Sequence, residues 1–390
     1  MIYDFDEPID RTKKSGTFSL KWDVKDGELP MWVADMDFKT APEIIRALQE
    51  RVQHGVFGYT DIPHEWNVAV AGWWRNRHGF AMQEDALVFC TGVVPALSSI
   101  VRKLTTAAEK VLIQTPVYNI FFNSIVNNGR TVVESPLAYD GKQYSIDFTD
   151  LEAKLSDPQV TLMILCNPHN PAGVIWTKEQ LADIGSLCAK YGVTVVSDEI
   201  HCDITEPGSD YMPFAAASSL NAQISVTCIA ASKAFNIAGL QSAAVYAENA
   251  FLRHKVWRAL NTDEVAEPNA FAIQATIAAF SEGGPWLDSL RTYLAENRRY
   301  AEQCIARKLP HLYAVPAKAT YLLWLDCSAL TDDTDALAAH IRKETGLYVS
   351  AGGQYGKDGN AFLRINLACP KSRLQDGMER LCRGIQSYER

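Results

Sequence analysis

Between about residues 86 and 246 the chain alternates short, nearly continuous apolar runs with longer amphipathic stretches. The runs read "ALVFC", "KVLIQ", "TVVES", "VTLMILC", "VTVVS", "ISVTCIA" and "SAAVYA". Apolar side chains at successive positions predict strands covered on both faces. The stretches "VPALSSIVRKL", "VYNIFFNSIVNN" and "TKEQLADIGSLCAKYG" carry helical spacing, and the last closes on a glycine stop signal at Gly192. Strands alternating with helices predict an α/β fold with a mostly parallel seven-stranded sheet. From about Gly284 the texture changes. "WLDSLRTYLAENRRYAEQCIARKL" predicts a long charged helix, followed by strand-like "TYLLWLD", another helix and "AFLRINLA". The expected organisation is a large domain over residues 46–284 and a smaller α/β domain built from 1–45 and 285–390.

Composition narrows the class. A length of 390 residues exceeds one typical core, which agrees with two domains. The net charge of -9, with no basic block, argues against nucleic acid as a partner. No apolar run approaches the roughly 20 residues of a membrane span. The opening "MIYDFDEPIDRTKK" is acidic at once and lacks the apolar core of a secretory leader. Nine cysteines are scattered without a C-x-x-C pair, and read as reduced thiols, not as disulfides or a metal site. The expectation is a cytoplasmic protein without a metal.

In open α/β sheets ligands gather beyond the carboxyl ends of the strands, so each run is read at that edge. "ALVFC" leads into "TGVVPAL", where Gly92 permits close backbone approach and Pro95 suits the first turn of a helix. Free N–H groups at that helix start would suit a phosphate, although an ordinary strand–helix turn has the same composition. No Walker loop or G-x-G-x-x-G follows any strand, which weakens nucleotide readings. Past "KVLIQ", Tyr118 either packs in the core or stacks on a planar heterocycle. "NPHNPAG" is a rigid turn in which Asn170 can present a neutral donor, or serve the turn alone. In "DEIHCDI", Asp198 sits directly behind an apolar strand, as a helix cap or as the partner of a protonated heterocyclic nitrogen. On the cap reading His201 is a satisfied core histidine. "CIAASKAFNIAGLQ" then places Ser232 and Lys233 among small apolar residues. That lysine is either a snorkelling stem or a desolvated amine suited to Schiff-base chemistry. Phosphate-friendly amides, a stacking ring, an amide donor, a carboxylate and a buried amine are together the equipment for pyridoxal phosphate.

In this order the residues resemble the fold-type I pyridoxal-phosphate enzymes, aminotransferase class I/II. Within that group the chain is similar to the cystathionine β-lyase, or C–S lyase, branch of the MalY/PatB type. The resemblance runs nearly end to end, through "WVADMDF", "HGVFGYT", "NPHNPAGVIWT", "SDEIHCDI", "SKAFNIAGL", "EPNAFAIQATIAAF", "GPWLDSLRTYL", "TYLLWLD" and "FLRINLACP". It implies that Lys233 holds the cofactor and moves protons, Asp198 pairs with the ring nitrogen, Asn170 with the ring hydroxyl, and Tyr118 stacks on the ring. It implies phosphate binding by Gly92, Val93 and Ser232, joined by Tyr59 from the other subunit of a homodimer. Arg364 in "FLRIN" is implied as the clamp on the substrate carboxylate. Two positions depart from the wider aminotransferase pattern. Gln241 stands where an arginine usually contacts phosphate, and His201 where a tyrosine often stands; both departures look like the lyase branch. The reaction implied is α,β-elimination of a sulfur amino acid such as L-cystathionine to a thiol, pyruvate and ammonia. Transamination shares the same groups, and a regulatory role through protein contacts could coexist with catalysis.

Overall fold

All seven apolar runs form strands of one sheet, ordered in space Leu87–Cys90, Ala243–Tyr246, Ser225–Ile229, Thr194–Asp198, Val160–Cys166, Lys110–Ile113, Thr131–Glu134. This computed structural model describes residues 3–389, so residues 1–2 and 390 of the expected small-domain segments lie outside the described residues. Every strand pair is parallel except those made by Ala243–Tyr246, which runs antiparallel to both neighbours. Its start, not its end, therefore lies at the edge where the other strands finish.

Side chains alternate between two covered faces, as successive apolar positions require. Val111, Ile113, Ile164, Val196 and Val226 pack against the helices Val93–Leu104 and Ala250–Thr262. Leu112, Met163, Leu165 and Val195 pack on the opposite side against Lys178–Lys190. Each such buried aliphatic side chain stabilises the fold by about 1.5–3 kcal/mol. The helix starts differ in a way that matters for the site. Lys178–Lys190 opens with a full capping box, Thr177 and Gln180 each bonding the other's backbone N–H. Val93–Leu104 opens at Gly92 with no side-chain cap, which leaves its first N–H groups free for a ligand.

A second, antiparallel sheet has the order Tyr313–Ala314, Leu322–Asp326, Phe362–Asn366, Ser350–Ala351. Its Leu323, Leu325, Leu363 and Ile365 face the helices Gly284–Lys308, Thr334–Thr345 and Lys371–Tyr388. On its other face Trp324 and Phe362 stack at 4.9 Å and join the core under the large sheet. The N-terminal strand Leu29–Pro30 pairs in parallel with Leu347–Tyr348. Among the described residues no helix is long and apolar enough to cross a membrane. All nine cysteines are buried free thiols.

Candidate active site

At the strand-end edge of the large sheet lies a cavity of about 280 Å³. Its wall brings together Gly92, Val93, Tyr118, Asn170, Asp198, Ser232 and Lys233. Arg364, from the second sheet, reaches the same place: its Nη1 donates to Asn170 Oδ1 at 3.3 Å. Tyr59 is not among them. It stands fully exposed on the stretch that also exposes Val56 and Phe57. A larger open depression of about 1140 Å³ lies elsewhere, over Trp73, His78 and Asp203. There His78, Cys202 and Asp203 converge like metal ligands. Asp203 is already hydrogen-bonded to Trp73 Nε1 and His78 Nε2, each at 2.9 Å, with Arg77 Nε at 3.6 Å, so a cation's place is taken.

The charges in the strand-end cavity are under-partnered. Asp198 is 4% exposed, and its carboxylate accepts one hydrogen bond, from Ile200 N–H at 3.1 Å. Burial pushes its pKa up to about 7, offset only in part by that N–H and by Lys233. Lys233 donates from Nζ to Ala34 O at 2.6 Å. Burial, with Arg364 nearby, brings its pKa down to about 8. Burial raises the Tyr118 phenol to about 12, so it stays neutral. His201 is held near 3, by burial and then by the Lys233 and Arg364 charges. The Arg364 guanidinium donates to Asn170 and, through Nη2, to Trp32 O at 2.9 Å, and lies 4.8 Å over the Tyr355 ring. Its Nε is buried without a partner, and no carboxylate among the described residues makes an ion pair with it. A buried cation so placed lacks an anion.

These residues fit pyridoxal phosphate on grounds of their own chemistry. The buried acid Asp198 lacks a cationic N–H, the amine of Lys233 has a lowered pKa, Tyr118 offers a flat face, and the Val93 helix start has unclaimed amides. At Gly92 an added Cβ would come 3.2 Å from Pro95 Cδ, so the bare backbone is part of that start.

Sequence reasoning missed the segment that closes the cavity. Residues 32–38, "WVADMDF", cross the site as a strap. Asn236, at φ 55°, donates from Nδ2 to Met36 O and Phe38 O and accepts from Met36 N–H. Asn366 Nδ2 donates to Val33 O and Asp35 O. Between these anchors the Ala34 carbonyl accepts from both Lys233 Nζ and Tyr321 Oη, the latter at 2.9 Å. Ser242 was missed as a lining residue for a different reason, since it opens the reversed strand, whereas Gln241, which the resemblance sets at the phosphate position, does line the wall. The signal available for the strap was the "ADMDF" motif, which carries the resemblance without announcing a role.

The family profile for aminotransferase class I and II matches residues 29–381. The chain is 45% identical to "Cystathionine beta-lyase PatB" of Bacillus subtilis, covering 95% of this chain and 97% of that one. It is 34% identical to "Protein MalY" of Escherichia coli, over 99% of this chain and all of that one. Among solved structures, cystalysin from Treponema denticola, which contains a pyridoxal 5'-phosphate cofactor, superposes with a TM-score of 0.95 at 32% identity, covering 99% of this chain and 100% of that one.

Proposed function

This chain belongs to the aminotransferase class I and II family, and from that premise we propose a pyridoxal-phosphate-dependent carbon–sulfur β-lyase acting on L-cystathionine or related cysteine thioethers. The observation that carries the reading is the pairing, in one cavity, of an under-partnered carboxylate at Asp198 with a lowered-pKa amine at Lys233. The net reaction converts a thioether and water to a thiol, pyruvate and ammonia; cystathionine gives homocysteine.

When bound, pyridoxal phosphate supplies an electron sink for the pair left at the substrate Cα. Lys233 Nζ takes the Cα proton, a role that the lowering of its pKa by burial favours. The Ala34 carbonyl can only accept, so it holds one N–H of that amine and leaves the lone pair free to point elsewhere. Asp198 keeps a proton on the ring nitrogen, and a cation in contact would draw its own pKa down again. Asn170 would hold the ring hydroxyl and Tyr118 would cover the ring, both lining the cavity. The Gly92–Val93 amides and Ser232 would hold the phosphate. Arg364 clamps the substrate carboxylate with its planar guanidinium, whose Nε has no partner among the described residues.

The assembly that fits this reading is a two-fold homodimer with shared sites, Tyr59 of one chain meeting the phosphate bound by the other. Support comes from Val52, Val56, Phe57 and Tyr59, which lie exposed close together, although Phe271 and Arg51 cover part of the Phe57 ring. The division into a domain over 46–284 and another over 1–45 and 285–390 is supported by the two separate sheets. A cytoplasmic location is supported by the free buried thiols.

Incubation with L-cystathionine should release pyruvate, ammonia and homocysteine with no added keto acid; a requirement for a keto-acid acceptor would make it an aminotransferase. For the shared site, Lys233→Ala and Tyr59→Ala chains are mixed under verified subunit exchange. Each hybrid dimer then has one site with both lesions and one with neither, so about a quarter of all sites should recover. No recovery would place Tyr59 outside the partner's site.

A further inference from the structure

Tyr321 is buried, and none of the roles above uses it. It is absent from the cavity wall, which Ala34 and Lys233 do line. Its hydroxyl reaches the site at second hand. Oη donates to Ala34 O at 2.9 Å, and Lys233 Nζ donates to the same oxygen at 2.6 Å. A carbonyl oxygen has two lone pairs, so the two donors fill it. Burial, and then the Asp35 charge, hold the phenol above its ordinary value, so it remains an O–H.

The backbone around Tyr321 is clamped to aim it. Thr320 sits at φ 67°, in the left-handed region that β-branched residues avoid. Its N–H donates to Ile204 O at 2.7 Å. The buried Arg298 donates from Nη2 to Thr320 O at 3.2 Å and to Leu322 O at 2.9 Å, the carbonyls on either side of Tyr321. Leu367 N–H holds Tyr321 O itself at 2.8 Å. Strain kept at one residue and over-determined by its neighbours points to a functional position. The strap carbonyl is held independently of Tyr321, because Asn366 fastens Val33 and Asp35 on either side of it.

We infer that Tyr321 is a positioning residue for Lys233, which it confines to one side of the Ala34 carbonyl by occupying the other. The inference rests on the lyase reading, in which Lys233 works as a free amine and needs a fixed place to wait between proton transfers. Without the hydroxyl, both lone pairs of a stationary oxygen would face one amine. The ammonium form would gain a stronger acceptor, and the amine a second place to rest.

The first test needs no cofactor. Trace acetylation of cofactor-free protein across pH, read by mass spectrometry of the Lys233 peptide against exposed Lys343, gives the titration midpoint of that amine. The charged and titratable groups that face it are Arg364, Asp35, Asp198 and His201, all retained in Tyr321→Phe. The midpoint should rise by about 0.5–1 pH unit in Tyr321→Phe. In loaded protein kcat at pH 7 should fall about 10-fold with KM within about two-fold, since Arg364 is untouched. 3-Fluorotyrosine in place of Tyr321 keeps the O–H and the ring shape. It should leave the midpoint at or below the wild-type value and restore kcat. A merely structural tyrosine would lower the melting temperature of Tyr321→Phe and move neither quantity. An unmoved or falling midpoint, or an unmoved kcat, therefore overturns the inference. If Tyr321→Phe does not fold, the fluorotyrosine protein decides, and a midpoint above wild type is the overturning result. Loaded protein that releases no thiol from cystathionine would sink the lyase reading and leave the amine measurement standing.

Discussion

Two aspartates in this chain are equally hidden from water and differ in everything else. Asp37 is 1% exposed and Asp198 4%. Around Asp37 the chain has gathered Lys21 Nζ at 3.1 Å, Arg11 Nη1 at 2.7 Å, the Trp22 indole N–H at 2.9 Å and Arg373 at 3.6 Å. Burial pushes the Asp37 carboxyl upward, but Lys21, the indole and the arginines outweigh it and hold the group below its ordinary value. Around Asp198 there is one backbone N–H, and burial wins. A buried carboxylate with its charge met ties the N-terminal segment to the fold. One left short is poised for a partner that the chain does not supply. What separates a structural buried acid from a chemical one is the count of its partners, not its depth.

The largest expected effect lies on the cavity side. Lys233→Ala should lower elimination by about 10³-fold or more. Borohydride reduction and peptide mapping of loaded wild-type protein should place the pyridoxyl label on Lys233, and a label on another lysine would undo the comparison at its chemical end. Asp198→Asn should cut turnover by about 10²-fold or more while the cofactor-free protein melts at the same temperature or higher. Asp37→Asn should do the reverse. Arg373 loses its counter-charge and Lys21 and Arg11 keep only Asp35, so denaturant unfolding should show a loss of about 3 kcal/mol, with turnover per folded molecule near wild type. If Asp37→Asn proves catalytic and not structural, the contrast collapses.

Acid and base should separate the two sites by sign. A carboxyl raised on folding contributes stability below its unfolded value that is lost as pH rises through its folded value. For Asp198 in cofactor-free protein that loss runs from its ordinary 3.8 to about 7. Asp198→Asn should make the thermal-stability curve shallower there without flattening it, because Glu199, also raised to about 7 by burial, slopes the same way. Asp37, lowered on folding, contributes stability above 3.8 that is lost as pH falls through its folded value. Melting curves of Asp37→Asn should therefore lose the acid-side slope instead. The smallest effect is expected for Trp22→Phe, which deletes one hydrogen bond to Asp37, about 1 kcal/mol by denaturant titration. The absorption of the loaded enzyme should not change.

The cavity was legible because strand ends are legible. Seven apolar runs mark seven strands, and the residues just past each parallel strand fall at a single edge. Lys233, Asp198, Asn170, Tyr118 and the Gly92 turn were all readable in that way. Ser242 was not read as a wall residue, since nothing in "SAAVYA" announces that its strand runs backwards. Tyr355 under Arg364 and Tyr321 above the strap come from segments adjoining the second sheet, where sequence distance hides the contact. The Asp37 cluster was invisible for a related reason. It joins Arg11, Lys21, Trp22 and Arg373, and ion pairs across such separations leave no periodicity in the sequence.

The strap from Trp32 to Phe38 sets a limit on length. Asn366 fastens Val33 and Asp35 to the second sheet, and Asn236 fastens Met36 and Phe38 to the first. The changeover happens across the single peptide link between Asp35 and Met36. One residue added or removed there would slide at least one pair of carbonyls off its amide and shift the Ala34 carbonyl away from Lys233. Loop tips elsewhere can absorb insertions over the generations. These seven positions cannot change in number without the site and the join between the two sheets failing together.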